Sequence, residues 1–189
     1  NPKDVTAWTG SGGAATGSLV EQGYQIASSS NELSWYRDGP TGAAAGAPTL
    51  IWFRARVTAG GGLASDVCAV RARVADNTTD YDVSVRISET GIRVYDNEAG
   101  AQVGSDTTGL TSSVMRDYLL AISAAGKVAV YYKAAADSLW TEVVSNQSLT
   151  DGGGGTTTNR IRFGNIASSS ATSRSPLMPH LRRAAVAAR

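Results

Sequence analysis

Two triplets hold the most suggestive side chains of this sequence, Arg54-Ala55-Arg56 and Arg71-Ala72-Arg73. On an extended strand, alternate residues share a face, so each triplet presents two guanidinium groups about 7 Å apart. Guanidinium forks grip carboxylate and sulfate groups in bidentate fashion. The chemistry on offer is therefore recognition of an anionic polymer, an acidic polysaccharide above all. Trp52 stands one alternate step before Arg54 and adds an apolar ring on which a sugar can stack. Trp52, Arg54, Arg56, Arg71 and Arg73 are the candidate carbohydrate-binding residues; Trp8, Trp35 and Trp140 are further aromatic platforms. Arg86, Arg93, Arg160 and Arg162 also fall opposite apolar residues on strand-like runs. The competing reading is a ladder in which the arginines pair with acids such as Asp82 and Glu142 and serve the sheet itself.

Catalytic equipment is sparse. The chain has one histidine, His180, beyond the last strand-like run, and any Ser-His-Asp or Cys-His system would depend on it. Cys68 is the only cysteine, which excludes an internal disulfide and a cysteine-based metal cage. At an inward strand position it reads as a small core residue.

The elements that must position these residues are strands. In "TLIWFRARV", Ile51, Phe53, Ala55 and Val57 share one face, with Leu50, Trp52, Arg54 and Arg56 on the other. "VCAVRARVADN" sets Cys68, Val70, Ala72 and Val74 inward. "YDVSVRISETGIRVYDN" reads as a hairpin with Tyr81, Val83, Val85, Ile87, Ile92 and Val94 inward. "RDYLLAISAAGKVAVYY" is another, with Tyr118, Leu120 and Ile122 facing Val128, Val130 and Tyr132. "NRIRFGNI" closes the series with Ile161 and Phe163 inward. "GSLVEQGYQIASS" and "ELSWYR" supply strands nearer the N-terminus. Short strands broken by Gly-rich turns predict an all-β, antiparallel two-sheet sandwich of jelly-roll type. Residues 1–170 form its domain. Residues 171–189, punctuated by Pro176 and Pro179, form a short helical or extended tail suited to docking or linking.

At 189 residues, one domain with a sizeable core is expected. A net charge of +1 with only 17% charged residues argues against nucleic acid as a partner. No run reaches the roughly 18 apolar residues of a membrane span. Few lysines, many small residues and a start at Asn1 point to an extracellular, cell-surface or virion-surface setting.

The order of these strands resembles the concanavalin A-like lectin/glucanase superfamily, and within it the laminin G-like jelly rolls. The resemblance rests on Arg116-Asp117-Tyr118 opening a strand, on Val128-Ala129-Val130-Tyr131, and on Ile161-Arg162-Phe163-Gly164 at the close, and it covers roughly residues 5–167. It implies a fold rather than an activity. Retaining glycosidases of that superfamily place Glu, Asp and Glu at alternate positions of one strand, so that two carboxylates lie about 5–5.5 Å apart. No E-x-D-x-E or E-x-D-x-x-E stretch occurs here. Lyases of the fold use a histidine and a tyrosine near Arg and Gln, and His180 lies outside the strands. The expectation is no enzyme and no catalytic residue.

Some laminin G-like domains hold calcium at a rim through carboxylates and carbonyls. The acids that such an ion would take here are Asp76, Asp80, Asp82, Asp96 and Glu98, expected in turns; otherwise no cofactor is implied. The functional expectation is a non-catalytic module binding a glycan or protein partner. The alternative is a structural or assembly domain of a phage virion or bacterial surface particle, oligomerising through its tail. A polysaccharide-active enzyme ranks below both.

Overall fold

A computed structural model describes residues 48–57, 63, 70–75, 78–111, 114–154 and 159–164, together with the backbone of 58–60, 69, 165 and six further strands. The chain opens with β1 (Thr9–Gly12), β2 (Thr16–Val20), β3 (Gly23–Ser28) and β4 (Leu33–Asp38). β5 (Thr49–Ala55), β6 (Val57–Gly60), β7 (Ala69–Ala75) and β8 (Asp80–Ile87) follow. Next come β9 (Ile92–Asp96), β10 (Ala101–Thr107), β11 (Arg116–Ile122) and β12 (Lys127–Ala134). β13 (Thr141–Ser148), β14 (Arg160–Asn165), β15 (Ser173–Met178) and β16 (Leu181–Ala185) complete the order. No helix occurs among the described residues.

One sheet runs β1-β4-β14-β7-β8-β9-β10, a second β13-β12-β11-β5-β16, and a third β2-β3-β15-β6. Every pairing given is antiparallel. The second and third sheets are halves of one layer. Only Arg56 separates β5 from β6, and the inward alternation of Ile51, Phe53, Ala55 and Val57 passes through it unbroken. β15 and β16 likewise succeed each other opposite the same pair: Ser173 faces Gly60, Pro176 faces Val57, Leu181 faces Phe53 and Ala185 faces Thr49. A constant register would put Leu181 opposite Trp52, so the ladder gains one residue across the break. The result is a sandwich of two layers. Of the helical and extended alternatives for residues 171–189, the described parts are extended.

The core lies between the layers and follows the sequence alternation. Ile51, Phe53, Val70, Val83, Val85, Ile92, Val94, Tyr118, Leu120, Val128 and Val130 are all buried. Each large side chain buried this way contributes about 1.5–3 kcal/mol. Phe53 and Tyr118 stack across β5 and β11 with centroids 4.9 Å apart. Tyr81 and Tyr132, expected inward, are partly buried and pack against the core's margin. Cys68 lies outside the described residues.

The β11–β12 hairpin closes on Ser123-Ala124-Ala125-Gly126. Gly126 donates its N–H to the Ser123 carbonyl at 3.1 Å, and the Lys127 N–H reaches the Ser123 hydroxyl at 3.0 Å. Gly126 has φ of +67°, and a Cβ there would sit 2.4 Å from the Tyr81 ring. Glycine is thus required twice, for the left-handed backbone and for the close approach. Arg116 turns inward at the start of β11 and donates to the carbonyls of Thr111 and Val114, tying the preceding loop to the strand.

Candidate functional site

The outer face of β11, β12 and β5 is built from small residues. Leu50 lies opposite Ala121, which lies opposite Ala129, and all three are only partly covered. Small side chains in register leave a trough. Tyr131, the next outward residue of β12, stands at its side, and Ser123 and Lys127 at the hairpin end. The resulting open cavity has a volume of about 420 Å³, within the usual range of small-molecule sites.

The far wall comes from an irregularity in β13. Val128 pairs with Gln147 and Val130 with Val144, so two residues, Ser145 and Asn146, oppose the single Ala129. Such a bulge bends the strand and re-aims its side chains. Asn146 takes φ of +52°, alone among described non-glycine residues. Asparagine tolerates this left-handed conformation better than most residues, at some cost. Both bulge residues line the cavity. The site therefore combines an alanine floor, one aromatic side and an amide, hydroxyls and an amine at the rim.

Trp52 and Arg54 lie on this same outer face. Trp52 is directly opposite Leu119, which in turn faces Tyr131 on β12. Arg54 lies with its guanidinium carbon 5.8 Å from the Trp52 ring. Its Nε and Nη2 donate to the two Asp117 oxygens at 2.6 and 2.9 Å. That hydrogen-bonded carboxylate raises the Arg54 pKa against the effect of burial. Arg54 is therefore a cation fixed by its carboxylate partner, on the groove's face of the sheet but outside its lining. Arg56, in the gap between β5 and β6, is partly buried. At the opposite end of β12, Lys133 sits over the Trp140 ring at 5.4 Å.

Arg71 and Arg73 are elsewhere. They project from β7, in the other layer, so the four arginines of the two triplets do not share a sheet. A patch joining them requires β5 and β7 in one sheet, and the topology separates those strands. Arg71 forks onto Asp82 with both bonds at 2.7 Å, and Arg73 donates through Nε and Nη2 to Asp80. Arg93 holds Asp106 in the same way, at 2.8 and 2.7 Å. For these residues, the described contacts are those of the arginine–acid ladder. Asp82 is the partner anticipated for it, whereas Glu142 accepts the Ser145 hydroxyl instead.

Of the acids considered for calcium, Glu98 lies in the turn after β9, as expected, whereas Asp80 and Asp82 do not. Asp80 and Asp82 are on β8, each only 2% exposed, with their oxygens on arginine nitrogens. Asp96 accepts the backbone N–H groups of Glu98, Ala99 and Thr150, and so caps a turn and pins the following loop. Burial, then the charges of Asp80 and Asp82, push the Glu98 carboxyl above its ordinary range. Among the described residues no cluster of three or more His, Cys, Asp or Glu side chains converges on a metal position. The carboxylates of Asp80, Asp82 and Asp96 already accept from arginine or amide donors. Asp76, Trp8 and His180 lie outside the described residues, as does the side chain of Trp35.

Ala121, Ala129, Ser145 and Asn146 carried no recognisable motif. The trough arises from cross-strand register, and the bulge from a mismatch between two strands. A lone signal exists in "VVSNQS", where Asn interrupts an otherwise alternating strand.

The fold is an antiparallel two-sheet jelly-roll sandwich, the fold that the sequence resemblance implied. It is shared with the carbohydrate-binding module CBM66 from Bacillus subtilis, at 12% identity over 94% of this chain and 95% of that one, with a TM-score of 0.53. The exoplasmic/lumenal domain of VIP36, in its form bound to Ca2+ and Man3GlcNAc, matches with a TM-score of 0.59 at 11% identity, over 97% of this chain and 85% of that one. Alginate lyase PA1167 from Pseudomonas aeruginosa matches with 0.53 at 10% identity, over 90% and 86%. No protein-family model matches the sequence. No curated protein matches it either.

Proposed function

We propose that this chain is a non-catalytic recognition module of a secreted or surface protein, and that it binds carbohydrate in the groove on the outer face of β5, β11 and β12. The observation that carries this reading is the bulged Asn146, held in a left-handed conformation at the wall of an alanine-floored trough. Strain retained beside a cavity is a feature of functional sites. Tyr131 offers a ring for the apolar face of a sugar, and Trp52 continues the aromatic row across Leu119. Asn146, Ser145, Ser123 and Lys127 supply directional donors and acceptors for hydroxyl groups. Arg54, paired with Asp117, stands further along β5 than the groove.

The fold alone does not separate binding from catalysis, since the similar structures include a lyase as well as a binding module. The acids on this face favour binding. Asp117 is locked onto Arg54, and Glu142 accepts the Ser145 hydroxyl. Neither is poised as half of a hydrolytic pair. Calcium plays no part in this reading, because Asp80, Asp82 and Asp96 are engaged by the protein's own donors.

A glycan array tests the proposal. Saturable binding to a defined class of oligosaccharide is expected, weakened at least tenfold by Tyr131→Ala and by Asn146→Gly. The absence of any glycan ligand would contradict it. The assembly reading draws on Leu139, 80% exposed next to Trp140 at 39%, since adjacent exposed apolar side chains suit a protein contact. An array without ligands, together with an oligomer in light scattering that Leu139→Ser dissolves, would favour that alternative.

A further inference from the structure

β12 turns Lys127, Ala129, Tyr131 and Lys133 outward in succession, with Val128 and Val130 buried between them. Two alternate steps, about 13 Å, separate Lys127 from Tyr131. The groove thus has an ammonium at its hairpin end, a ring at the other, and the Ala129 floor between. Lys127 is the one charged side chain among the described lining residues. β12 pairs with β13 so that Lys127 faces Ser148, and its Nζ donates to the Ser148 hydroxyl at 2.7 Å. An ammonium has three donors, so this bond positions the charge and leaves two N–H groups for an acceptor. That described partner is neutral, whereas Arg54, Arg71, Arg73 and Arg93 each hold an aspartate. The described acids of this face stand away from the hairpin end. Asp117 is held by Arg54, and Glu142 lies opposite Tyr131 and accepts the Ser145 hydroxyl. Lys133, one step beyond Tyr131, is engaged by the Trp140 ring and the Asp137 carbonyl.

From this placement we propose that the groove selects acidic carbohydrate: a uronic-acid residue lies on the alanine floor with its carboxylate on the Lys127 ammonium, and Lys127 sets that specificity. The inference rests on the groove being the carbohydrate site. A carboxylate takes charge-assisted hydrogen bonds from an ammonium, and these are roughly twice as strong as neutral ones. A neutral sugar offers Lys127 only a hydroxyl, which exchanges one neutral acceptor, water, for another. Pro48, Leu50, Ala121 and Ala129 give the groove apolar walls, and an ion pair beside such walls is stronger than one in open water. Glu142 disfavours an anionic group at the Tyr131 end, so the two ends together give the ligand a direction. A small inorganic anion would meet Lys127 alone, whereas a uronic-acid oligomer also lays an apolar face on Tyr131. The separation of Lys127 from Tyr131 calls for an oligosaccharide rather than a single sugar.

The experiment is calorimetric titration of the intact chain with oligomannuronate, oligoguluronate and oligogalacturonate, each beside its carboxyl-reduced, neutral counterpart. At low salt at least one acidic oligomer should bind tenfold or more tighter than its counterpart, and the ratio should shrink several-fold at about 0.15 M salt. Lys127→Met should bring that ratio to within twofold of unity. Lys127→Arg, which keeps the charge, should retain at least half of it, and Lys133→Met should leave it within twofold of wild type. Equal affinity within every pair, or neutral ligands alone, would overturn the acidic specificity and leave the groove as a carbohydrate site. A preference that survives Lys127→Met, or an equal loss in Lys133→Met, would overturn the assignment to Lys127, with Tyr131→Ala still deciding the groove. Absence of binding by every acidic and neutral oligosaccharide, here and on the array, would overturn both. Should Lys127→Met fail to fold by circular dichroism, acetylation of wild type decides: the acidic oligomer must protect Lys127 more than Lys133, and equal labelling of Lys127 with and without it would refute the assignment.

Discussion

Arg54 serves the sheet on the same face as the groove. Its side chain is about one-third exposed, while that of Asp117 is only 3% exposed. Removing the arginine strands a buried carboxylate, so Arg54→Ala should cost roughly 3 kcal/mol. Asp117→Ala should cost less, because the surviving cation can turn to water. Urea unfolding of both variants checks the order; equal costs would mean that the carboxylate is better solvated than its burial indicates. Glu98 supplies the opposite case. Burial and the neighbouring Asp80 and Asp82 raise its folded pKa, so the folded state holds the proton more firmly than the unfolded chain. Ionisation then disfavours folding. Glu98→Gln should be more stable than wild type at neutral pH, with the advantage fading as pH falls below the carboxylate range. Asp106 runs the other way: its hydrogen bonds from Arg93 lower its pKa, and the stability it contributes above the unfolded pKa is lost as pH falls through the folded value. Denaturant midpoints across an acid series read both signs.

Among the elements, the β11–β12 hairpin was the most legible in sequence. Tyr118, Leu120, Ile122, Val128 and Val130 alternate as expected and are buried. Leu120→Ala should therefore cost about 2–5 kcal/mol, and a loss under half a kcal/mol would place that side chain outside the core. Gly126→Ala should also destabilise, by about 1 kcal/mol or more, since it meets both a left-handed backbone and the Tyr81 ring. Thermal denaturation of the two variants tests these faces separately. What the sequence concealed was the pairing of strands distant along the chain. Alternation assigned Arg71 and Arg73 outward, but nothing local placed them beside Arg160 and Arg162 rather than beside Arg54 and Arg56. Asp80 and Asp82 looked like turn acids because they follow "ADNTT", yet they begin a strand and are covered by arginine side chains. The Ser145–Asn146 bulge was hidden for the same reason: it is a mismatch between two strands, and one strand alone does not disclose it.

On the scale of the whole molecule, the two layers present two different outer faces around one shared core. The β5–β11–β12 face has a trough with aromatic and amide borders, suited to a sugar ring. The β7–β14 face carries arginines in register with one another and with acids on the flanking strands. The central claim is that the trough is the carbohydrate site, and backbone NMR of the intact chain titrated with the oligosaccharide an array identifies tests it most directly. The account predicts that the shifted amides cluster at Leu50, Ala121, Ala129, Tyr131 and Asn146. Shifts confined to other surfaces, with those five amides unmoved at saturation, would contradict it.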